Sequence, residues 1–430
     1  MPRAFELIDD CGPGPTSTPH GTNRESTLTT TLSAAGLARL HDSMAAHIAA
    51  GRLPGLVTLA ACGDDVHIDA IGRASFAGQA PLARDAIFRI ASLTKPITAA
   101  ATMSLVEDGI LRLDEPIDEL VPELADRRVL RAIDAELDDT VPAARPITLE
   151  DLLSFRLGFG SAAAPPGSYP IQRAEAELGL QSIGGPPWPP VARDVDGWIG
   201  ALGSLPLMCQ PGEQWLYNTS AQVLGVLLAR ACGQDLESVL RARIFEPLGM
   251  TDTGFTVPAG QLSRLTTAYE PDAETGELSV LDDAADSWWS TPPSFPDASG
   301  WLVSTIDDYW SFVSMVLAGG TWQGERILRP ATVARMTTDR LTSAQRDAAA
   351  MFLGEHQGWG LGLAVPAAGS PDQPFPCGIG WDGGTGTTWR SSPRSGVTGI
   401  LFTQRAAMSP APPPVIEDFW AGLGAATAHI

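Results

Sequence analysis

Ser92 and Lys95 stand three residues apart in Phe88-Arg89-Ile90-Ala91-Ser92-Leu93-Thr94-Lys95-Pro96, where a short apolar run gives way to a helical pattern. That spacing places both side chains on one face of a first helical turn. A hydroxyl there sits at the positive end of the helix dipole, beside N–H groups that can steady an oxyanion. Partial burial and the dipole both lower the pKa of an amine, and a neutral amine can take the proton of a serine. The pair could therefore make an activated nucleophile without histidine. A bare S-x-x-K is also compatible with ordinary helix packing, but the base count adds weight. The chain carries 27 arginines, and Lys95 is its one lysine. Arginine serves a solvated surface as well as lysine but cannot give up its proton, so a solitary lysine points to a need for a titratable amine.

Tyr217, one of four tyrosines, is the next candidate. A phenol hydrogen-bonded to a nearby lysine can be held as a phenolate-like base and then return the proton to a leaving group, although a half-buried tyrosine in a helix fits the same pattern. His356, in Gly354-Glu355-His356-Gln357-Gly358, reads either as a general base or as a loop histidine. No G-x-S-x-G, H-E-x-x-H or C-x-x-C occurs. The five cysteines (Cys11, Cys62, Cys209, Cys232, Cys377) suggest neither a disulfide framework nor a zinc site. The first thirty residues lack the basic start and apolar core of a secretory signal. A reduced, cytoplasmic protein without metal or cofactor is expected.

The 430 residues are 44% hydrophobic and carry a net charge of −22, so a large core can form while a nucleic-acid partner is disfavoured. No apolar stretch reaches the ~20 residues of a membrane helix. Residues 1–30, rich in Gly, Pro, Ser and Thr, read as a disordered tail. A 3.6-residue period over 32–50 predicts a helix. Residues 56–60 and 66–71, separated by Cys62-Gly63-Asp64-Asp65, predict a β-hairpin, and 97–108 a helix stopped by Gly109. Helices are also expected over 147–153, over 220–231, and from 301 to about 317. Strand patterns return in 358–365, 377–389 and 396–403. The proline-rich loops beside Trp188 and Trp288-Trp289 could wall an apolar pocket.

Several stretches in order resemble the class C β-lactamase-like serine hydrolases: the Ser92 segment, Leu105 to Gly109, Ile147 to Leu153, Pro211 to Thr219, Pro247 to Met250, Gly300 to Thr305 and Gly380 to Gly384. In motif the chain is most similar to the family VIII carboxylesterases. The resemblance implies an α/β fold of the serine β-lactamase and penicillin-binding-protein type, an antiparallel sheet flanked by helices. Residues 31–110 and 300–430 would form the α/β domain, and 111–299 a mainly helical insertion. It also implies roles. Ser92 would be the nucleophile, with Lys95 and Tyr217 sharing the base and acid work. The Ser92 and Gly384 amides would form the oxyanion hole, and Thr219, Trp381 and Gly383 would line the substrate. Two departures matter. Thr219 stands where the Y-x-N motif has asparagine, which weakens recognition of a substrate amide. Trp381-Asp382-Gly383 is a W-x-G rather than K-T-G, which removes a cation that a β-lactam or peptide carboxylate would use. Cleavage of small, rather apolar esters through an acyl-serine is the leading expectation. Acyl transfer to a metabolite alcohol or amine is the alternative, with β-lactamase, DD-peptidase or a non-catalytic binding module behind it.

Overall fold

Leu-Val-Thr-Leu-Ala-Ala-Cys, within the strand Gly55–Cys62, is apolar at nearly every position and is buried on both faces. Val57, Leu59 and Ala61 point into the larger core, while Leu56, Ala60 and Cys62 point into a smaller one. This is the period-two alternation of a strand covered on both sides. It belongs to a seven-stranded sheet in a computed structural model that describes residues 30–161, 164–180, 191–272, 274–369, 376–407 and 411–429. In chain order the strands are β1 (Gly55–Cys62), β2 (Asp65–Gly72), β3 (Gln357–Trp359), β4 (Ala364–Pro366), β5 (Ile379–Gly383), β6 (Thr387–Ser391) and β7 (Val397–Thr403). Their order across the sheet is β3-β4-β5-β6-β7-β1-β2, antiparallel throughout.

One face of the sheet is covered by α1 (Ala34–Ala49) and the C-terminal helix Pro414–Ala426, through Leu40, Met44, Phe419 and Leu423. Ser33 caps α1 by accepting the Gly36 N–H. The other face carries the larger core, into which α2 (Thr94–Glu107) is sunk, with Thr94 through Leu105 all buried. Beside α2 runs α3 (Thr219–Cys232), while α4 (Ile306–Leu317) packs on β1 and β7. The expected antiparallel sheet flanked by helices is thus present.

The expected 1–30 tail lies outside the described residues except for Thr30, which opens a short strand, Thr30–Leu32, paired with Thr427–His429. The middle of the chain contains the helices Pro170–Glu177 and Val195–Ser204 but also two hairpins, Arg128–Leu130 with Thr140–Pro142 and Ala268–Pro271 with Leu278–Asp282. Residues 301–305 do not start a helix. Val303–Ser304 is instead a strand paired with Phe88–Arg89, and α4 begins only at Ile306, where Thr305 Oγ1 accepts the Asp308 N–H. The backbone partners offered by Phe88 and Arg89 outcompete helical continuation. Among the described residues no helix is long and apolar enough to cross a membrane.

Candidate active site

The segment that carries Ser92 is anchored before it is used. The Arg89 guanidinium, fully buried, donates to the Thr266 carbonyl at 2.5 Å, to Asp282 and to Ser287 Oγ, and lies 4.9 Å above the Trp289 ring. Trp289 stacks on Trp301, so this tryptophan braces the anchor rather than walling a pocket. Trp188 lies outside the described residues. Ala91 then turns the chain at φ +42°, a left-handed conformation that costs a non-glycine residue about 1–3 kcal/mol. A single 3-10 turn, Ala91–Leu93, leads straight into α2. Thr94 Oγ1 donates back to the Ala91 carbonyl at 2.6 Å and locks that turn.

Strand β5 presses on the same turn. A Cβ at Gly383 would collide with the Ile90 carbonyl oxygen and Thr387 Oγ1, so only glycine lets the strand come this close. Thr385 and Thr387 fasten the hairpin by donating to the Arg89 and Ile90 carbonyls at 2.5 and 3.1 Å. Gly383 therefore fits the backbone of the Ser92 turn, and Gly384 follows it at the strand end.

Three side chains converge on this point. Lys95 Nζ lies 2.8 Å from Ser92 Oγ, and the Tyr217 hydroxyl donates to the same oxygen at 2.8 Å. Lys95 Nζ also donates to Asn218 Oδ1 at 2.9 Å and to the Ser299 carbonyl at 2.6 Å, and sits 4.5 Å from the centre of the Tyr217 ring. Burial pushes the Lys95 amine down to about 7, with the Asp297 carboxylate working in the opposite direction. Burial pushes the Tyr217 phenol up to about 12, moderated by its hydrogen bonds with Ser92 and Trp381. The tyrosine is therefore a neutral phenol near pH 7, and the lysine is the group that can shed its proton. This differs from a phenolate-like tyrosine, because Lys95 stands over the ring and not at the hydroxyl.

Trp381 turns its indole N–H to the Tyr217 hydroxyl at 2.9 Å. Its neighbour Asp382 faces the other side of β5, where it accepts from Thr388 Oγ1 and from Arg390 at 2.6 Å. Tyr217 itself belongs to an aromatic layer, stacked on Phe352 with 5.0 Å between centroids and on Trp215 at 5.7 Å. Phe352 and Trp215, with Ser161, Tyr169 and Met208, also line a cavity of about 210 Å³. Thr219 is buried at the start of α3, and the amide side chain that meets Lys95 is that of Asn218. His356 is exposed in the loop before β3.

Sequence reasoning passed over Asn218, Asp297 and Ser299. Asn218 is the middle residue of the Y-x-N stretch, one position before the place where asparagine is usual. Ser299 acts through a backbone carbonyl, which no side-chain pattern reveals. Among the described residues no cluster of three His, Cys, Asp or Glu could hold a metal.

The Beta-lactamase family model matches residues 40–414, nearly the whole of the described chain. The chain belongs to the beta-lactamase family. Within it, Protein Rv1367c of Mycobacterium tuberculosis (strain ATCC 25618 / H37Rv) is 39% identical over 365 residues, covering 83% of this chain and 86% of the relative. Acyltransferase calJ of Penicillium decumbens is 27% identical, covering 80% of this chain and 83% of its own. Esterase EstB of Burkholderia gladioli is also 27% identical, covering 83% and 87%. This beta-lactamase-family chain is thus similar along most of its length both to an esterase and to an acyltransferase.

Proposed function

We propose that this protein is a cytoplasmic serine hydrolase of the carboxylesterase type that cleaves small, rather apolar esters through an acyl-serine. The observation that carries the reading is the placement of a neutral-capable Lys95 amine 2.8 Å from Ser92 Oγ. Lys95 takes the hydroxyl proton as Ser92 Oγ forms its bond to the acyl carbon. The carbonyl electron pair moves to oxygen, where the Ser92 and Gly384 N–H groups receive the negative charge. As the carbonyl re-forms, the ester C–O bond breaks, and the departing alkoxide takes the Tyr217 proton. The Tyr217 phenolate then takes a proton from the water that attacks the acyl-serine, and as the Ser92–acyl bond breaks the Lys95 ammonium returns its proton to Ser92 Oγ, releasing the acid and free Ser92.

Several features support an ester over a charged β-lactam. Arg390, the cation paired with Asp382 of the W-x-G motif, is engaged on the face of β5 opposite Trp381. The aromatic layer of Trp215, Tyr217 and Phe352 gives an apolar surround. The four described cysteines are all free, as suits a reducing compartment. The test is the initial rate on p-nitrophenyl butyrate for wild type and Ser92→Ala. Turnover that disappears with the serine is expected, and full activity in Ser92→Ala overturns the assignment.

Acyl transfer is the second reading, favoured by the similarity to calJ. Product analysis with added alcohols and amines separates the two. Ester or amide products in excess of free acid would assign the transferase.

A further inference from the structure

Lys95 must do more than be neutral; its lone pair must face Ser92. A neutral amine has two N–H bonds and one lone pair, and nothing intrinsic fixes which of the three points at a neighbouring hydroxyl. Here two of the three neighbours of Nζ, Asn218 Oδ1 at 2.9 Å and the Ser299 carbonyl at 2.6 Å, are oxygens that can only accept. Once the amine is neutral, those two acceptors engage both N–H bonds. The remaining tetrahedral direction is the one toward Ser92 Oγ, at 2.8 Å.

The Ser299 carbonyl is fixed by its own surroundings. The Asp297 carboxylate accepts the Ser299 N–H at 2.7 Å and the Gln222 amide at 2.9 Å. Asn218 is fixed differently. Its φ and ψ are +79° and −62°, and the Thr219 N–H reaches over it to the Tyr217 carbonyl at 3.2 Å. These are the signs of a γ-turn of the rare, strained hand. Consecutive side chains on an extended strand point apart. This turn instead folds Tyr217 and Asn218 round so that both reach the Ser92–Lys95 pair. Glycine would take the conformation freely, so an asparagine held there marks a use for its side chain.

We propose that Asn218 is a positioning residue that aims the Lys95 lone pair at Ser92, and that in this chain it stands in, one residue early, for the asparagine absent at position 219. The inference rests on the serine-hydrolase reading. The groups facing Nζ are Ser92 on its own element, the Tyr217 ring and Asn218 on the turn, and Ser299 with Asp297 on the loop before Val303–Ser304. Asp297 is the charged one among them.

Because Lys95 is the one lysine of the chain, ¹³C-lysine labelling gives a single side-chain resonance whose titration reports its midpoint directly. The same samples yield the rate at which a fluorophosphonate labels Ser92, and a melting temperature. Asn218→Gly removes the strain and the acceptor together. It should melt no lower than wild type and titrate at lower pH, because the ammonium loses an acceptor. Although more of its amine is neutral at pH 7, it should be labelled at least ~10-fold more slowly. A faster amine deprotonation paired with a slower nucleophile is what misaimed lone pairs produce. Asn218→Asp keeps the acceptor and adds charge. It should move the Lys95 midpoint and the acid limb of the labelling profile up together, with the plateau rate within ~3-fold of wild type. Labelling of Asn218→Gly within twofold of wild type, or an unmoved midpoint in both variants, overturns the proposal alone. Absence of labelling in wild type overturns the hydrolase reading and this one with it.

Discussion

Trp381 donates its indole N–H to the Tyr217 hydroxyl across 2.9 Å, and that hydroxyl in turn donates to Ser92 Oγ at 2.8 Å. In the proposed mechanism the tryptophan of the W-x-G motif thus supports the acid: as the phenol gives its proton to the leaving alkoxide, negative charge grows on an oxygen with the indole N–H already aimed at it.

Trp381→Phe keeps the ring in the aromatic layer but removes that donor. The expected outcome is a kcat lowered about 5- to 13-fold, in line with the ~1–1.5 kcal/mol of one hydrogen bond. KM and melting temperature should change little. Steady-state kinetics on p-nitrophenyl butyrate checks this, and a rise in KM at constant kcat would return Trp381 to substrate packing.

Gly383→Ala places a methyl group against the Ile90 carbonyl oxygen. The obstacles are Thr387 Oγ1 and the Ile90 carbonyl oxygen it donates to, and the carbonyl is backbone that cannot turn aside as a side-chain tip would. A loss of about 1–3 kcal/mol in stability and a larger proportional loss of activity are expected, since the nucleophile turn and Gly384 move apart together. Thermal melts alongside active-site titration measure both effects.

The parts legible in the sequence were those written in local chemistry. The Ser92-x-x-Lys95 spacing, the hairpin around Gly63-Asp64, and the period of α1 and α2 each follow from residues close in the chain. What stayed hidden depends on distant partners. Residues 301–305 carry a helical pattern, but Val303 pairs with Arg89, more than two hundred positions earlier. Asn218 reaches Lys95 because of a backbone turn that residue types alone do not specify. Asp297 and Ser299 come from a loop with no motif of its own, yet they set the charge and the hydrogen bonding of the amine.

Glu175, in the helix Pro170–Glu177, is 8% exposed, and its Oε1 has no hydrogen-bond partner among the described residues. Burial pushes its carboxyl up to about 8 from an ordinary 4.5, so the folded protein keeps a proton there that the unfolded chain has lost. Its contribution to stability is complete below about pH 4.5 and is lost as pH rises through 8. Glu175→Gln mimics the protonated form at every pH. Its melting temperature should match wild type at about pH 4 and exceed it by a margin that widens up to about pH 8. Melts across that range check this, and a constant offset between the two proteins would mean that Glu175 does not titrate on unfolding.

In the proposed mechanism Asp297 tunes the pH at which the Ser92–Lys95 pair becomes active. Its buried carboxylate favours the charged form of Lys95, whereas burial drives the amine down to about 7. Below that midpoint the ammonium has no lone pair to offer Ser92, so kcat/KM should fall on the acid side with an apparent pKa close to 7. Asp297→Asn removes the charge but keeps a carbonyl oxygen for the Ser299 N–H, leaving the loop in place. With less to hold its proton, Lys95 then titrates lower, and the acid limb of kcat/KM moves toward lower pH while the plateau is nearly retained. A pH–rate profile on a neutral ester, in which the substrate does not titrate, reads the shift. Movement of the limb to higher pH would mean that Asp297 lowers rather than raises the Lys95 pKa, and an unmoved limb would assign it to another group.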